Sequence, residues 1–238
     1  MKAFSLVHSV RPPTEQAAPG VRPPLLLLFH GVGSNEASME RLAPAFDPRF
    51  IVLSVRSPIA LGPSSFAWFH VSFTAQGPSI VAEEAIDGWR KVSAFVDEAV
   101  EAYGADPARV YVGGFSQGGI MSLASILTDP ARIAGAVCMS GRLLPEVLPF
   151  AASGEALRGK PVLIVHGVMD DKLGIHFARD ARERLAGFPL DLTYRELAMG
   201  HTVTDESLHL ASRWLTERLD VGLASPDASV DGVGMSLR

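Results

Sequence analysis

Six short apolar runs, separated by stretches of helical periodicity, limit what this chain can fold into. Val21 to His30 contains a continuous apolar core. Phe50–Val55, Arg109–Gly113, Ile133–Met139 and Pro161–His166 are similar, as expected of strands covered on both faces. Leu190 to Leu197 alternates instead, with Leu190, Leu192 and Tyr194 on one side and Asp191, Thr193 and Arg195 on the other. The longest helical pattern opens near Ser79, read as an N-cap, carries Glu83 and Glu84 early, and stops at Gly104. Gln117–Leu127 forms another helix, closed by Asp129-Pro130. Weaker patterns cover Ala37–Phe46 and Ile175–Ala186, and a final one runs from Asp205 to Leu219. Strands alternating with helices require crossover connections, so the expected architecture is a mostly parallel sheet with helices on both faces.

A length of 238 residues suits one such domain, expected over residues 1–219. From residue 220 to 238 the chain turns to Gly, Ala, Ser, Asp and Pro without periodicity, and a disordered tail is expected there. A hydrophobic share of 47% and a charged share of 20% exclude disorder for most of the chain. The 21 Lys and Arg are scattered among 26 Asp and Glu, which leaves no basic footprint for nucleic acid. A single cysteine, Cys138, excludes an intramolecular disulfide and a multi-cysteine metal site; its apolar surroundings mark it as a buried strand residue. No apolar stretch near the N-terminus has signal-peptide length, and Leu25–Phe29 is far too short to span a bilayer. No membrane span and a cytoplasmic location are therefore expected.

The most informative segment is Val110 to Gly119, which contains Gly-x-Ser-x-Gly at Gly114, Ser116 and Gly118. An apolar strand runs into it and a helix pattern leaves it. Such a turn holds the serine in a strained conformation with its hydroxyl pointing away from the sheet, and side chains two residues to either side would meet backbone. The segment lacks the Lys of a phosphate-binding P-loop and the spacing of a dinucleotide site.

A serine hydroxyl needs a base, and on this topology the base follows an acid that follows the serine. Of seven histidines, His8, His30 and His70 precede Ser116; His166 ends a strand; His176 and His209 fall in helical patterns. His201 remains, on the loop between the last strand and the last helix. The acid is Asp170 or its neighbour Asp171; Asp170 is favoured because it comes first out of the turn after His166, with Asp171 free to cap the following helix. Two backbone N–H groups should face the developing oxyanion: that of Gln117, at the start of a helix, and that of Val32, in the Gly-rich turn after Leu25–Phe29.

Together, Leu28-Phe29-His30-Gly31-Val32-Gly33, Trp68-Phe69, the Gly-Phe-Ser-Gln-Gly-Gly string ending at Gly119, His166-Gly167-Val168-Met169-Asp170 and Gly200-His201 resemble the phospholipase/carboxylesterase family of α/β-hydrolases, which includes acyl-protein thioesterases. The resemblance spans about residues 20 to 218. It implies an α/β-hydrolase fold without a large lid domain, with Ser116 as nucleophile, Asp170 and His201 as its partners, and Val32 and Gln117 as oxyanion donors. The implied activity is hydrolysis of carboxylic esters or thioesters of small to medium acyl chains, without metal or organic cofactor. Lysophospholipase or thioesterase preference shares that mechanism, and a homodimer stays open. A cofactor-free perhydrolase and a non-catalytic ligand-binding protein on the same fold are the rival readings. Loops 57–78 and 142–150 would shape the acyl pocket, with Trp68, Phe69 and Phe73 the candidate lining residues. The chain departs from the family after Asp170, where Asp171-Lys172-Leu173-Gly174 replaces a hydrophobic pair and a proline.

Overall fold

The computed structural model describes residues 4–15, 18–74 and 77–221, with the side chains of Phe73 and Val221 left undescribed; the expected tail lies almost wholly outside these residues. In chain order the elements are β1 (His8–Arg11), β2 (Leu25–Phe29), α1 (Glu36–Glu40), a 3-10 turn (Ala43–Ala45), β3 (Ile51–Val55), β4 (Ile59–Gly62), β5 (Ser65–Ala67), β6 (Val71–Thr74) and β7 (Gly77–Ile80). There follow α2 (Ala82–Tyr103), β8 (Val110–Phe115), α3 (Gln117–Thr128), β9 (Gly135–Met139), a 3-10 segment (Pro145–Phe150), α4 (Gly154–Leu157), β10 (Pro161–Gly167), α5 (His176–Leu185), β11 (Asp191–Leu197) and α6 (Asp205–Val221).

Seven strands form one sheet in the order β1-β3-β2-β8-β9-β10-β11. All six strands anticipated from the apolar runs lie in it and pair in parallel. The continuous apolar character of β2, β3, β8, β9 and β10 follows from burial on both faces, whereas the alternating β11 is a partly exposed edge strand. Leu25, Leu27 and Phe29 enter one core with α2, α3 and α5, while Leu26 and Leu28 enter the other with α1 and α6. Cys138 is fully buried in β9, and burial pushes its thiol up to about 12.

Three features differ from the sequence expectation. β1 adds an antiparallel edge strand on β3; its sequence, His-Ser-Val-Arg, carries no apolar run to announce it. The Ala37–Phe46 pattern forms only a short helix, capped by Asn35, and a 3-10 turn containing Pro44. Ser79 is not the N-cap of α2: it pairs with Ser72 in the β6–β7 hairpin, and the extended backbone runs on to Val81 before the helix begins. Gly104 ends α2 as anticipated, at φ 63°.

In a parallel sheet every strand delivers its C-terminal end to the same edge, and a crevice opens where the strand order reverses. Here the reversal falls between β2 and β8, whose ends carry His30-Gly31-Val32 and Ser116. Their spacing is set by backbone contact rather than by side chains. A Cβ at Gly118 would overlap the Phe29 carbonyl oxygen, and one at Gly114 would overlap the Gly118 carbonyl carbon. Both obstacles are main chain and cannot swing aside, so α3 can start this close to β2 only with glycine at both positions.

Gly118→Ala should therefore cost more than about 4 kcal/mol or abolish folding. Gly104→Ala, which introduces a Cβ at positive φ but into open space, should cost about 1 kcal/mol. Denaturant midpoints of the two variants measure the contrast, and equal losses would contradict it.

Candidate active site

Ser116 follows β8 directly and takes φ 55°, ψ −117°, a conformation that L-residues rarely adopt. Its amide donates to the Met139 carbonyl (2.8 Å) and its carbonyl accepts from Ile120 (3.0 Å), so strand pairing on one side and the helix on the other hold the strained residue in place. The side chain faces a cavity rather than the sheet.

The structure brings the three predicted side chains together. His201 Nε2 lies 2.9 Å from Ser116 Oγ, and His201 Nδ1 lies 2.7 Å from Asp170 Oδ2. A carboxylate only accepts, so Nδ1 carries the proton and Nε2 is left to accept from the hydroxyl. Asp170 Oδ1 accepts from the backbone amides of Lys172 (2.9 Å) and Leu173 (2.8 Å), which fixes the carboxylate within its own turn. The Asp170 side chain is buried, whereas Asp171 points outward and pairs with Lys172. Asp171 does not cap the following helix; α5 begins after Ile175 without a side-chain cap. The Phe115 ring packs on the imidazole of His201 at 4.9 Å.

A cavity of about 410 Å³ opens over Ser116, lined by Val32, Phe69, Gln117 and His201 among others. That volume is toward the lower end of small-molecule sites, which span about 300–1,000 Å³. The expected lining residues divide. Phe69 lines the cavity. Trp68 does not: it is fully buried against the Phe29 ring at 5.1 Å, because its place after β5 turns it into the core. The side chain of Phe73 falls outside the described residues. Met39, Val71, Pro78, Ile80, Ile120 and Leu173 supply apolar wall that no sequence motif marks. Val71, Pro78 and Ile80 come from the β6–β7 hairpin, whose pairing leaves little trace in composition.

Three further polar residues brace this arrangement. Gln117 is buried; its Oε1 accepts from the Trp68 amide (2.7 Å) and its Nε2 donates to the Phe69 carbonyl (2.6 Å). One side chain thus ties the start of α3 to the cavity wall. His30 Nδ1 donates to the Gly31 carbonyl (2.7 Å), and Nε2 accepts from the Ser57 amide (3.0 Å), joining the ends of β2 and β3 beside Val32. His166 Nε2 donates to the Leu173 carbonyl (2.7 Å) and lies 3.3 Å from Asp170 Oδ2. Among the described residues, no cluster of His, Cys, Asp or Glu could hold a metal ion, and no helix is long and apolar enough to cross a membrane.

Burial holds the pKa of both His30 and His166 below the ordinary value of 6.5. Unfolding restores normal basicity, so below about pH 6.5 the unfolded chain binds more protons than the folded one, and stability falls with pH. The urea midpoint should drop between about pH 7 and pH 5. The drop should be shallower in His166→Gln, and a flat profile in the unmodified protein would refute the neutral, buried state of these rings.

The phospholipase/carboxylesterase family profile matches residues 15–218. A probable carboxylesterase of Oryza sativa subsp. japonica is 31% identical over 86% of this chain and 92% of its own. A second protein from that plant, named a probable inactive carboxylesterase, is 27% identical over 87% of this chain and 89% of its own. Acyl-protein thioesterase 1 of Kluyveromyces lactis is 32% identical over 67% of this chain and 75% of its own. Among solved structures, a Bacillus cereus carboxylesterase superposes with a TM-score of 0.74 at 24% identity, covering 89% of this chain and 94% of the other, a likeness of α/β-hydrolase fold. With its fold, its strand–serine–helix turn and nearly its whole described length accounted for, the chain belongs to the phospholipase/carboxylesterase family.

Proposed function

We propose that this protein is a serine carboxylic-ester hydrolase that cleaves esters or thioesters of small to medium acyl chains through Ser116, His201 and Asp170. The observation that carries the reading is the hydrogen-bonded relay from Ser116 Oγ through His201 to Asp170, at 2.9 and 2.7 Å, opening onto an apolar cavity.

The chemistry follows from the geometry. His201 Nε2 takes the hydroxyl proton as Ser116 Oγ adds to the substrate carbonyl carbon, and the carbonyl oxygen becomes an oxyanion. The backbone N–H groups of Val32 and Gln117 receive that charge. The Gln117 amide is the first of α3 and has no acceptor within the helix, so its donor and the helix dipole both favour an anion there. Collapse of the intermediate expels the alcohol or thiol, protonated by His201, and leaves Ser116 acylated. Water, deprotonated by the same imidazole, then adds to the acyl-enzyme and releases the acid. Asp170 keeps Nδ1 protonated and the ring oriented throughout. None of these steps requires a metal or organic cofactor.

The competing reading is a ligand-binding protein that retains the fold without turnover. Ser116→Ala separates the two. It should lower kcat on p-nitrophenyl butyrate by about 10⁴-fold or more while preserving the denaturation midpoint. Stopped-flow release of p-nitrophenol from the unmodified protein should show a burst near one equivalent if deacylation is the slower step. Residual turnover near the parent rate in Ser116→Ala would remove Ser116 from the reaction.

A further inference from the structure

The cavity over Ser116 is mostly apolar, and two of its lining residues are cationic. Arg142 and Lys172 both line it, and among the described residues no Asp or Glu does. Arg142 follows the end of β9 and is half-buried. Among the described residues no carboxylate comes within ion-pair distance of its guanidinium, which lies over the Phe177 ring at 5.6 Å. Glu146, on the same loop, acts on Arg142 only through space. A guanidinium offers five donors in a planar fork, and those of Arg142 are not sealed in the interior, so they are available to an acceptor on a ligand in the cavity.

Lys172 arrives from the other side, on the Asp170 turn. Its only carboxylate partner at ion-pair distance among the described residues is Asp171, at 3.2 Å, and both side chains are largely exposed. Such a pair is weak and easily exchanged for another anion. Lys172 also stands where the chain departs from the hydrophobic pair of its family, so the departure puts a cation into the wall of the cavity.

The two side chains rest on firm backbone. The Ser140 amide donates to the Val165 carbonyl (2.8 Å), and Leu143 and Leu144 are buried, which anchors the Arg142 segment on both sides. Asp170 Oδ1 holds the Lys172 amide directly.

We propose that Arg142 and Lys172 form an anion subsite within the cavity, and that the preferred substrates are esters or thioesters carrying a carboxylate or phosphate in addition to the scissile bond. The inference rests on the serine-hydrolase reading above and adds a substrate class to it. An anion seated there would accept paired N–H bonds from Arg142, with the Lys172 ammonium adding a second positive charge to the same cavity wall. The anionic group could belong to the acyl chain or to the leaving group, and the two positions call for different probes.

The test uses matched pairs of substrates on the full chain. For the acyl side, the p-nitrophenyl monoester of glutaric acid is compared with p-nitrophenyl butyrate. For the leaving-group side, S-butyryl thioglycolate is compared with its methyl ester, with thiol release followed colorimetrically. The unmodified protein should favour the anionic member of at least one pair in kcat/KM, and added salt should reduce that preference. Arg142→Gln should lower the anionic-to-neutral ratio in that pair by about tenfold or more, with Arg142→Lys restoring part of it. Lys172→Gln should lower it less. If the unmodified protein hydrolyses the neutral esters but shows no anionic preference in either pair, or if Arg142→Gln leaves both ratios unchanged, the subsite is refuted and the hydrolase reading stands. Failure to hydrolyse any of the four substrates would instead overturn the hydrolase reading and the subsite with it.

Discussion

The whole arrangement depends on how closely the first turn of α3 approaches the end of β2. At Gly118 the space where a side chain would begin is already filled by the Phe29 carbonyl. That contact puts the helix N-terminus, the Ser116 hydroxyl and the Gly31-Val32 turn at one edge of the sheet. It also obliges Ser116 to take a positive φ, a conformation offset by the hydrogen bonds to Met139 and Ile120 and by the two cores that press the helix and strand together. A serine held in this way projects its hydroxyl into the crevice rather than back into the sheet.

The remaining parts of the site are held by loops through hydrogen bonds between buried side chains and backbone. Asp170 is fixed by two amides of its own turn, and His166 fastens the same turn from beneath through Leu173. His30 joins the ends of β2 and β3, and Gln117 ties the helix start to Trp68 and Phe69. Each brace is a buried polar group with a backbone partner, which costs little to bury and much to break. The site is thus held in place without a ligand, as the proposed stabilisation of an oxyanion would require.

Much of this is legible in the sequence, and for identifiable reasons. Five of the six strands announce themselves because burial on both faces leaves no polar alternation, the sixth, β11 at the sheet edge, shows by its alternation, and Gly114 and Gly118 mark the turn because only glycine fits there. His201 emerges by position, as the histidine on a loop after the last strand. Other features leave no such trace. The β6–β7 hairpin contributes Val71, Pro78 and Ile80 to the cavity, yet its pairing is local and its sequence mixed, which is also why Ser79 resembles a helix cap when only the sequence is considered. Trp68 and Phe69 are adjacent and equally aromatic, and both are buried in the bend after β5, yet Phe69 alone of the two also lines the cavity, a division that no sequence pattern marks. Arg142 carries no motif at all. Its interest lies in its place in the cavity wall with no carboxylate at ion-pair distance among the described residues, which only three dimensions reveal.

The central claim is that Ser116 is an activated nucleophile because His201 reaches its hydroxyl. Covalent labelling by a fluorophosphonate, with the modified peptide mapped by mass spectrometry, tests that activation whatever the natural substrate is. The account predicts stoichiometric modification at Ser116 in the unmodified protein, and labelling slowed by at least about 10³-fold in His201→Ala. Labelling at another serine, or equal rates with and without the imidazole, would contradict it.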